Sequence, residues 1–263
     1  KSVLWWAAKH RHHHLHSDTE EDVHSPLHSG FLYSHVGWIF TKRHDTADLT
    51  RVGDLTRFPE LMWLHKYELL PAVALGTLCF VFGGWAGLVV GFLWSTVLVY
   101  HATFCINSLA HVHGSRRYVT GDDSRNNWFL ALLTMGEGWH NNHHAYQASV
   151  RQGFRWWEVD ATYYVLKALS WLGVVWDLKS PPEAVLRNEQ RLGSRVINRT
   201  AARLAAHGRL ARGPLAARVL ERHRLEPDLA GDVGVDQVER PGLVGDQGVG
   251  VEHLVHARRG RLG

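Results

Sequence analysis

The chain has 263 residues, carries 29 Lys plus Arg against 25 Asp plus Glu for a formal net charge of +4, and contains 20 histidines, several times the usual share. Its two cysteines, Cys79 and Cys105, exclude a disulfide scaffold, an iron–sulfur protein and a cysteine-type zinc finger. No dense Lys/Arg run with interleaved aromatics accompanies the basic balance, which argues against nucleic acid as a partner.

The chain opens at Lys1 inside an apolar pattern, with no signal peptide, and reads as the remainder of a longer sequence. Residues 1 to about 16 are expected to form a helix. A polar connection then begins at Ser17-Asp18, punctuated by Pro26 and Gly30. A second apolar patch runs from Phe31 to Phe40, and a charged loop follows from Thr41 to Pro59. Trp63 and Tyr67 are amphipathic aromatics of the kind that mark a membrane interface.

Between Glu68 and Arg116 there is no Asp, Glu, Lys or Arg. The stretch is about twice the roughly 20 residues one helix needs to cross a bilayer, with Gly83-Gly84 near its middle. This predicts a membrane hairpin over about 69–107, with a short arm from Leu69 to about Phe82 and a full-length arm from Trp85 to about Ile106. After Arg116 the chain is polar to Asn127 and then expected to be helical through the next histidine cluster. Phe154, Trp157, Ala161, Tyr164, Val165, Ala168, Leu172 and Val175 recur at three- and four-residue intervals. They predict an amphipathic helix lying on the membrane surface or packed on the domain. The tail, 201–263, has no aromatic and, from about Gly208, no helical or strand period. It is expected to be disordered or the product of a shifted reading frame.

His10, His13 and His14 form an H-x-x-H-H pattern that His140, His143 and His144 repeat. On a helix, positions i, i+3 and i+4 share a face, so each triplet can aim its imidazoles at one point. His111 is a seventh candidate, with Asn107 one turn earlier. Neutral imidazole binds iron, zinc, copper and nickel, and one ion accepts at most about six ligands, so seven converging histidines imply two metals. Zinc sites usually close with four ligands and the H-E-x-x-H spacing is absent, whereas dinuclear sites with open positions suit iron and dioxygen. Spacing alone leaves the metal open. Around the ligands, Glu137 is a candidate to hydrogen-bond and orient an imidazole, and Asn141 is assigned to the same surroundings. His24, His28, His35, His65 and His101 read as structural.

Leu4-Trp5-Trp6 through His10-Arg11-x-His13-His14-x-x-Ser17-Asp18, Phe31-Leu32-Tyr33-Ser34-His35-Val36-Gly37-Trp38, Asn107-Ser108-x-x-His111, Ser124-Arg125-Asn126-Asn127-Trp128 and Gly136-Glu137-Gly138-Trp139-His140-Asn141-x-His143-His144 resemble the integral-membrane acyl-CoA desaturases of the stearoyl-CoA (delta-9) type. The resemblance covers residue 1 to about 200. It implies an all-α membrane helical bundle with a cytoplasmic helical cap, in which three histidine boxes and one further histidine hold two iron ions. His10, His13 and His14 would match the second box, His140, His143 and His144 the third, and His111 the additional ligand. Asn107 would reach one iron through water, and Lys42 and Arg43 would lie near the acyl-CoA phosphates. His12, His16 and His113 are taken as spectators. The family's first box, H-R-x-x-x-H-R, and first hairpin have no counterpart before His10, so the chain is expected to lack two ligands and to be inactive alone.

The implied reaction is oxygen-dependent removal of two hydrogens from a saturated acyl-CoA or acyl-lipid to give a cis double bond. Two electrons would come from a partner such as cytochrome b5 or a ferredoxin. An unactivated methylene has no acidity to exploit, which is why a metal site rather than acid–base groups suits it. A membrane di-iron hydroxylase and a histidine-rich metal-binding membrane protein are the competing readings.

Overall fold

The computed structural model describes residues 1–189 and 191–206. It is built from helices, with no strands among the described residues. The tail expected to be disordered or frame-shifted lies outside the described residues from 207 onward.

Helix α1, Val3–His16, starts where the Ser2 hydroxyl accepts the Trp5 N–H at 3.1 Å. Its Leu4, Ala7 and Ala8 pack with Val52, Leu55 and Leu61, while Trp5 stacks on Trp38 at 5.7 Å. With one side of α1 committed to apolar packing, His10, His13 and His14 project from another. The helix stops at His16. Asp18 then takes φ of 55°, a left-handed conformation that Asp tolerates better than most residues and that commonly ends a helix. Short helices α2 (Pro26–Ser29) and α3 (Phe31–His35) follow, then 3-10 turns at Gly37–Phe40, Lys42–His44 and Leu49–Val52, and then α4 (Pro59–Lys66).

Helix α5 (Leu70–Ala86), π-helical turns at Gly87–Trp94 and helix α6 (Ser95–Asn107) make up the uncharged stretch. Gly84, at φ 57° and ψ −148°, breaks the helix. In a straight helix Gly76 and Phe92 would be about 24 Å apart. Here a Cβ built on Gly76 would stand 3.2 Å from the Phe92 ring, and one on Gly87 would stand 2.2 Å from the Cys79 carbonyl oxygen. The chain therefore doubles back at Gly84, and small residues let the two arms touch. Most of the outer surface is apolar and exposed, including Leu75, Phe82, Trp85, Val90, Leu98 and Tyr100. The segment Leu70–His111 is long and apolar enough to cross a membrane.

Beyond it come α7 (Trp128–Leu133), α8 (His140–Ala145), α9 (Ala161–Trp171), α10 (Glu183–Leu186) and α11 (Ser194–Ala206). The helix expected from Asn127 through His144 is two helices. The residues between them turn, with Met135 at φ 57° and Gly136 at φ 127°. The helix expected over 154–175 spans only Ala161–Trp171, because the Asp160 side chain caps its start by accepting the Tyr163 N–H. Phe154 packs elsewhere, with Tyr118 and Val185. A tail beginning at 201 would cut through α11.

Candidate metal centre

Two elements far apart in sequence bring the imidazoles together. Helix α1 carries His10, His13 and His14, and α8 carries His140, His143 and His144. The approach to α8 is set by Gly138, where a Cβ would stand 2.1 Å from the Ala131 nitrogen. Any side chain there would push α8 away from α7, and Gly138 O already accepts the Asn127 N–H at 2.8 Å. His111 is supplied by a 3-10 turn at the end of α6.

The seven histidines sort into two groups, His13, His111, His140 and His144 in one and His10, His14 and His143 in the other. In the first, His140 Nε2 lies 3.0 Å from His111 Nε2 and 3.1 Å from His144 Nε2. In the second, His14 Nε2 lies 3.0 Å from His10 Nε2 and 2.9 Å from His143 Nε2. Two nitrogens bound at right angles to one ion, each about 2.1 Å from it, stand about 3.0 Å apart. The spacings are those of the edges of a coordination polyhedron.

Proton bookkeeping supports the same conclusion. His111 Nδ1 donates to Asp18 Oδ2, His13 Nδ1 to Asp22 Oδ1 and His144 Nδ1 to Asp122 Oδ2, each at 2.8 Å. With the proton on Nδ1, each Nε2 presents a bare lone pair inward. His13 Nε2 is buried without a protein partner among the described residues. Converging lone pairs repel unless a cation lies between them, so this donor set fits metal ions.

Burial and neighbouring imidazoles hold His10, His14 and His140 well below the ordinary histidine value, and burial with His144 and His13 nearby pushes His143 down to about 3. These rings stay neutral, as ligands must. Burial raises the Asp22 and Asp122 carboxyls, but His13 beside the first and His144 beside the second outweigh it and keep both well below the usual range. The carboxylates are charged and able to anchor Nδ1–H.

Local spacing does not mark out the three aspartates. Asp18 enters the sequence reading only within a motif, and Asp22 and Asp122 not at all, because nothing in spacing says that an aspartate two residues past a helix will face a histidine 93 positions away. Glu137 does not play the expected part. Among the described residues it makes no hydrogen bond to a ligand histidine, and burial with Asp160 nearby pushes its carboxyl up to about 7. Asn141 is buried, but its Oδ1 accepts the N–H groups of Arg117 and Tyr118, so it ties α8 to the 117–124 segment rather than to an imidazole. Asn142, unassigned in the sequence, donates to Glu158 Oε2 at 2.9 Å and exchanges hydrogen bonds with Asn126. Asn107 is buried with its Nδ2 unpartnered among the described residues. Lys42 and Arg43 are exposed on a 3-10 turn.

His12 and His16 bond Glu21 and His113 is exposed, outside both groups. His24 is closer than expected. It stacks on His13 at 4.4 Å and forms with His13 and Asp22 a third buried cluster. His35 and His101 form an outlying pair, their nitrogens 3.0 Å apart.

The sequence profile of fatty acid desaturases matches residues 2–175. The sn-1 stearoyl-lipid 9-desaturase of Anabaena variabilis is 44% identical over 175 residues, covering 66% of this chain and 64% of that protein. The acyl-CoA C20 Delta5-desaturase of Anemone leveillei is 40% identical over 183 residues, covering 68% and 58%. The chloroplastic palmitoyl-monogalactosyldiacylglycerol delta-7 desaturase of Arabidopsis thaliana is 42% identical over 186 residues, covering 68% and 49%. The chain thus spans about half to two thirds of the length of these relatives. With the profile covering more than half of its residues and two histidine groups that could each hold a metal ion, the chain belongs to the fatty acid desaturase family.

Proposed function

We propose that this protein is the metal-binding part of an oxygen-dependent, membrane-embedded fatty acyl desaturase of delta-9 type, with two irons held by His13, His111, His140 and His144 and by His10, His14 and His143. The observation that supports the reading is the pairing of inward Nε2 atoms 2.9 to 3.1 Å apart with Nδ1–H groups anchored on Asp18, Asp22 and Asp122. Histidine ligands leave open positions suited to iron and dioxygen. Bound iron would supply an oxidant strong enough to take hydrogen from an unactivated methylene.

The overall change is –CH2–CH2– plus O2, two electrons and two protons giving –CH=CH– plus two waters. The protein's own residues would supply ligand geometry, hold His10, His14, His140 and His143 neutral and keep bulk water from the buried group. Electrons come from a separate carrier, of the cytochrome b5 or ferredoxin kind. The hairpin of α5 and α6 crosses the bilayer, and the histidines face the cytoplasm. The second arm, 22 residues from Ala86 to Asn107, matches the roughly 20 residues that a span needs. The first arm is shorter. Lys42 and Arg43 are available to the phosphates of an acyl-CoA, and the relatives' names include both acyl-CoA and acyl-lipid desaturases.

The test is expression of the full reading frame containing this chain in a host without its own desaturase, with iron content and fatty acids measured. About two irons per chain and a new cis alkene support the proposal. An alcohol product would transfer it to the hydroxylases, and metal uptake without oxygen consumption would transfer it to metal storage or transport.

A further inference from the structure

Helix α11 lies beyond the part of the chain matched by the family profile. Arg195, Arg199 and Arg203 recur on it at four-residue intervals, and Val196, Arg199, Thr200, Arg203 and Leu204 form its half-buried side. That side rests on Gly121, where a Cβ would stand 3.4 Å from both the Arg199 Cβ and the Val196 Cα.

Two of the arginines reach different halves of the metal centre. Arg199 donates to the Leu15 carbonyl oxygen, in the last turn of the helix that carries His10, His13 and His14. Arg203 pairs with Asp123, which Arg116 also holds at 3.1 Å. The Asp123 N–H donates to Asp18 Oδ2 at 2.7 Å, and the same oxygen accepts from His111 Nδ1. Next to Asp123, Asp122 holds His144. Both arginines stand within electrostatic reach of Asp18 and Asp122.

We infer that α11 is a strap across the metal centre, in which Arg199 and Arg203 are positioning residues that hold the last turn of α1 and the 120–124 segment in the register that lets their histidines share ions. The inference rests on the proposed metal-binding role of the histidines. Arg203 acts through Asp123 and Asp18 on His111, and Arg199 acts through the α1 backbone. Three buried carboxylates meet on this side, so the guanidinium charges also offset repulsion among Asp18, Asp22 and Asp122.

The experiment titrates Co2+ into the full chain and its variants in detergent, reading the visible spectrum of histidine-bound cobalt, with amide hydrogen exchange on the metal-free protein. Removing partners that orient ligands typically weakens metal binding by about 10- to 100-fold. The Arg199→Gln/Arg203→Gln double variant should lose affinity to that degree, and residues 120–124 should exchange faster without metal. Arg203→Lys should recover part of the affinity, and Arg195→Gln, exposed in the first turn of the same helix, should match the unaltered chain. Unchanged cobalt affinity and exchange in the double variant would overturn the strap. A loss shared equally by Arg195→Gln would also overturn it, since it would report helix propensity rather than the two contacts. An unaltered chain that takes up no cobalt would overturn the metal reading itself, a different outcome from equal uptake by both proteins.

Discussion

Asp18 Oδ2 lies 2.8 Å from His111 Nδ1 across 93 positions of sequence, and both side chains are almost completely buried. The bond needs Asp18 in its left-handed conformation at the end of α1 and His111 on the turn that ends α6, so it ties the histidine helix to the uncharged hairpin. It also sets the tautomer, since a proton held on Nδ1 leaves Nε2 free to bind metal.

Asp18→Asn keeps the shape and removes the charge. Metal affinity should fall by about 10- to 100-fold while the helical content stays the same. Metal titration together with circular dichroism checks this, and undiminished affinity would show that the carboxylate does not orient His111.

His143→Ala removes one of three imidazoles from its group but leaves the four-histidine group intact. Bound iron should fall from about two to about one per chain, with desaturation abolished. His12→Ala, whose ring bonds the Glu21 carbonyl oxygen outside both groups, should retain both metal and activity. Elemental analysis beside fatty acid profiling separates the two variants.

Acid should destabilise the metal-free protein in a defined window. His24 and His143 have folded values of about 3, against an ordinary value of 6.5, because burial disfavours their charged forms. The unfolded chain therefore takes up protons first, so this stability is complete above pH 6.5 and is lost as the pH falls toward 3. Each ring contributes a slope of about 1.4 kcal/mol per pH unit inside that window. Thermal unfolding in chelator at pH 7.5 and 5.5 measures it, and His24→Phe should flatten the dependence. The Asp22 carboxylate acts in the same direction, but only below 3.8, where its unfolded counterpart begins to protonate.

If the α5–α6 hairpin crosses a bilayer, its two ends share a side and its turn lies near the other. In a Cys79→Ala/Cys105→Ala background in sealed vesicles, Arg57→Cys and Val119→Cys should react with an impermeant thiol reagent from the same side. Phe82→Cys, exposed next to the Gly84 turn, should be protected from that side. Equal labelling of all three would place the hairpin on the surface rather than through the membrane.

The all-helical class, the histidine triplets and the turn at Gly83-Gly84 were legible in the sequence because each depends on local periodicity or a local break. Four-residue spacing puts His10 and His14 on one face whatever surrounds them, and paired glycines inside a long uncharged stretch mark a local break. Periodicity overran where the chain turned for non-local reasons. Phe154 keeps the spacing of α9 yet packs with Tyr118 and Val185, and the residues at Met135 and Gly136 break what reads as one helix before His140. Glu137 is close in sequence to His140, but the carboxylates that hold the clustered histidines come from Asp18, Asp22 and Asp122. Residue types and their local spacing therefore determined which atoms could bind metal. Only the tertiary structure decided how those atoms divide into two groups and which acids hold their protons, because both depend on contacts between segments that no local period connects.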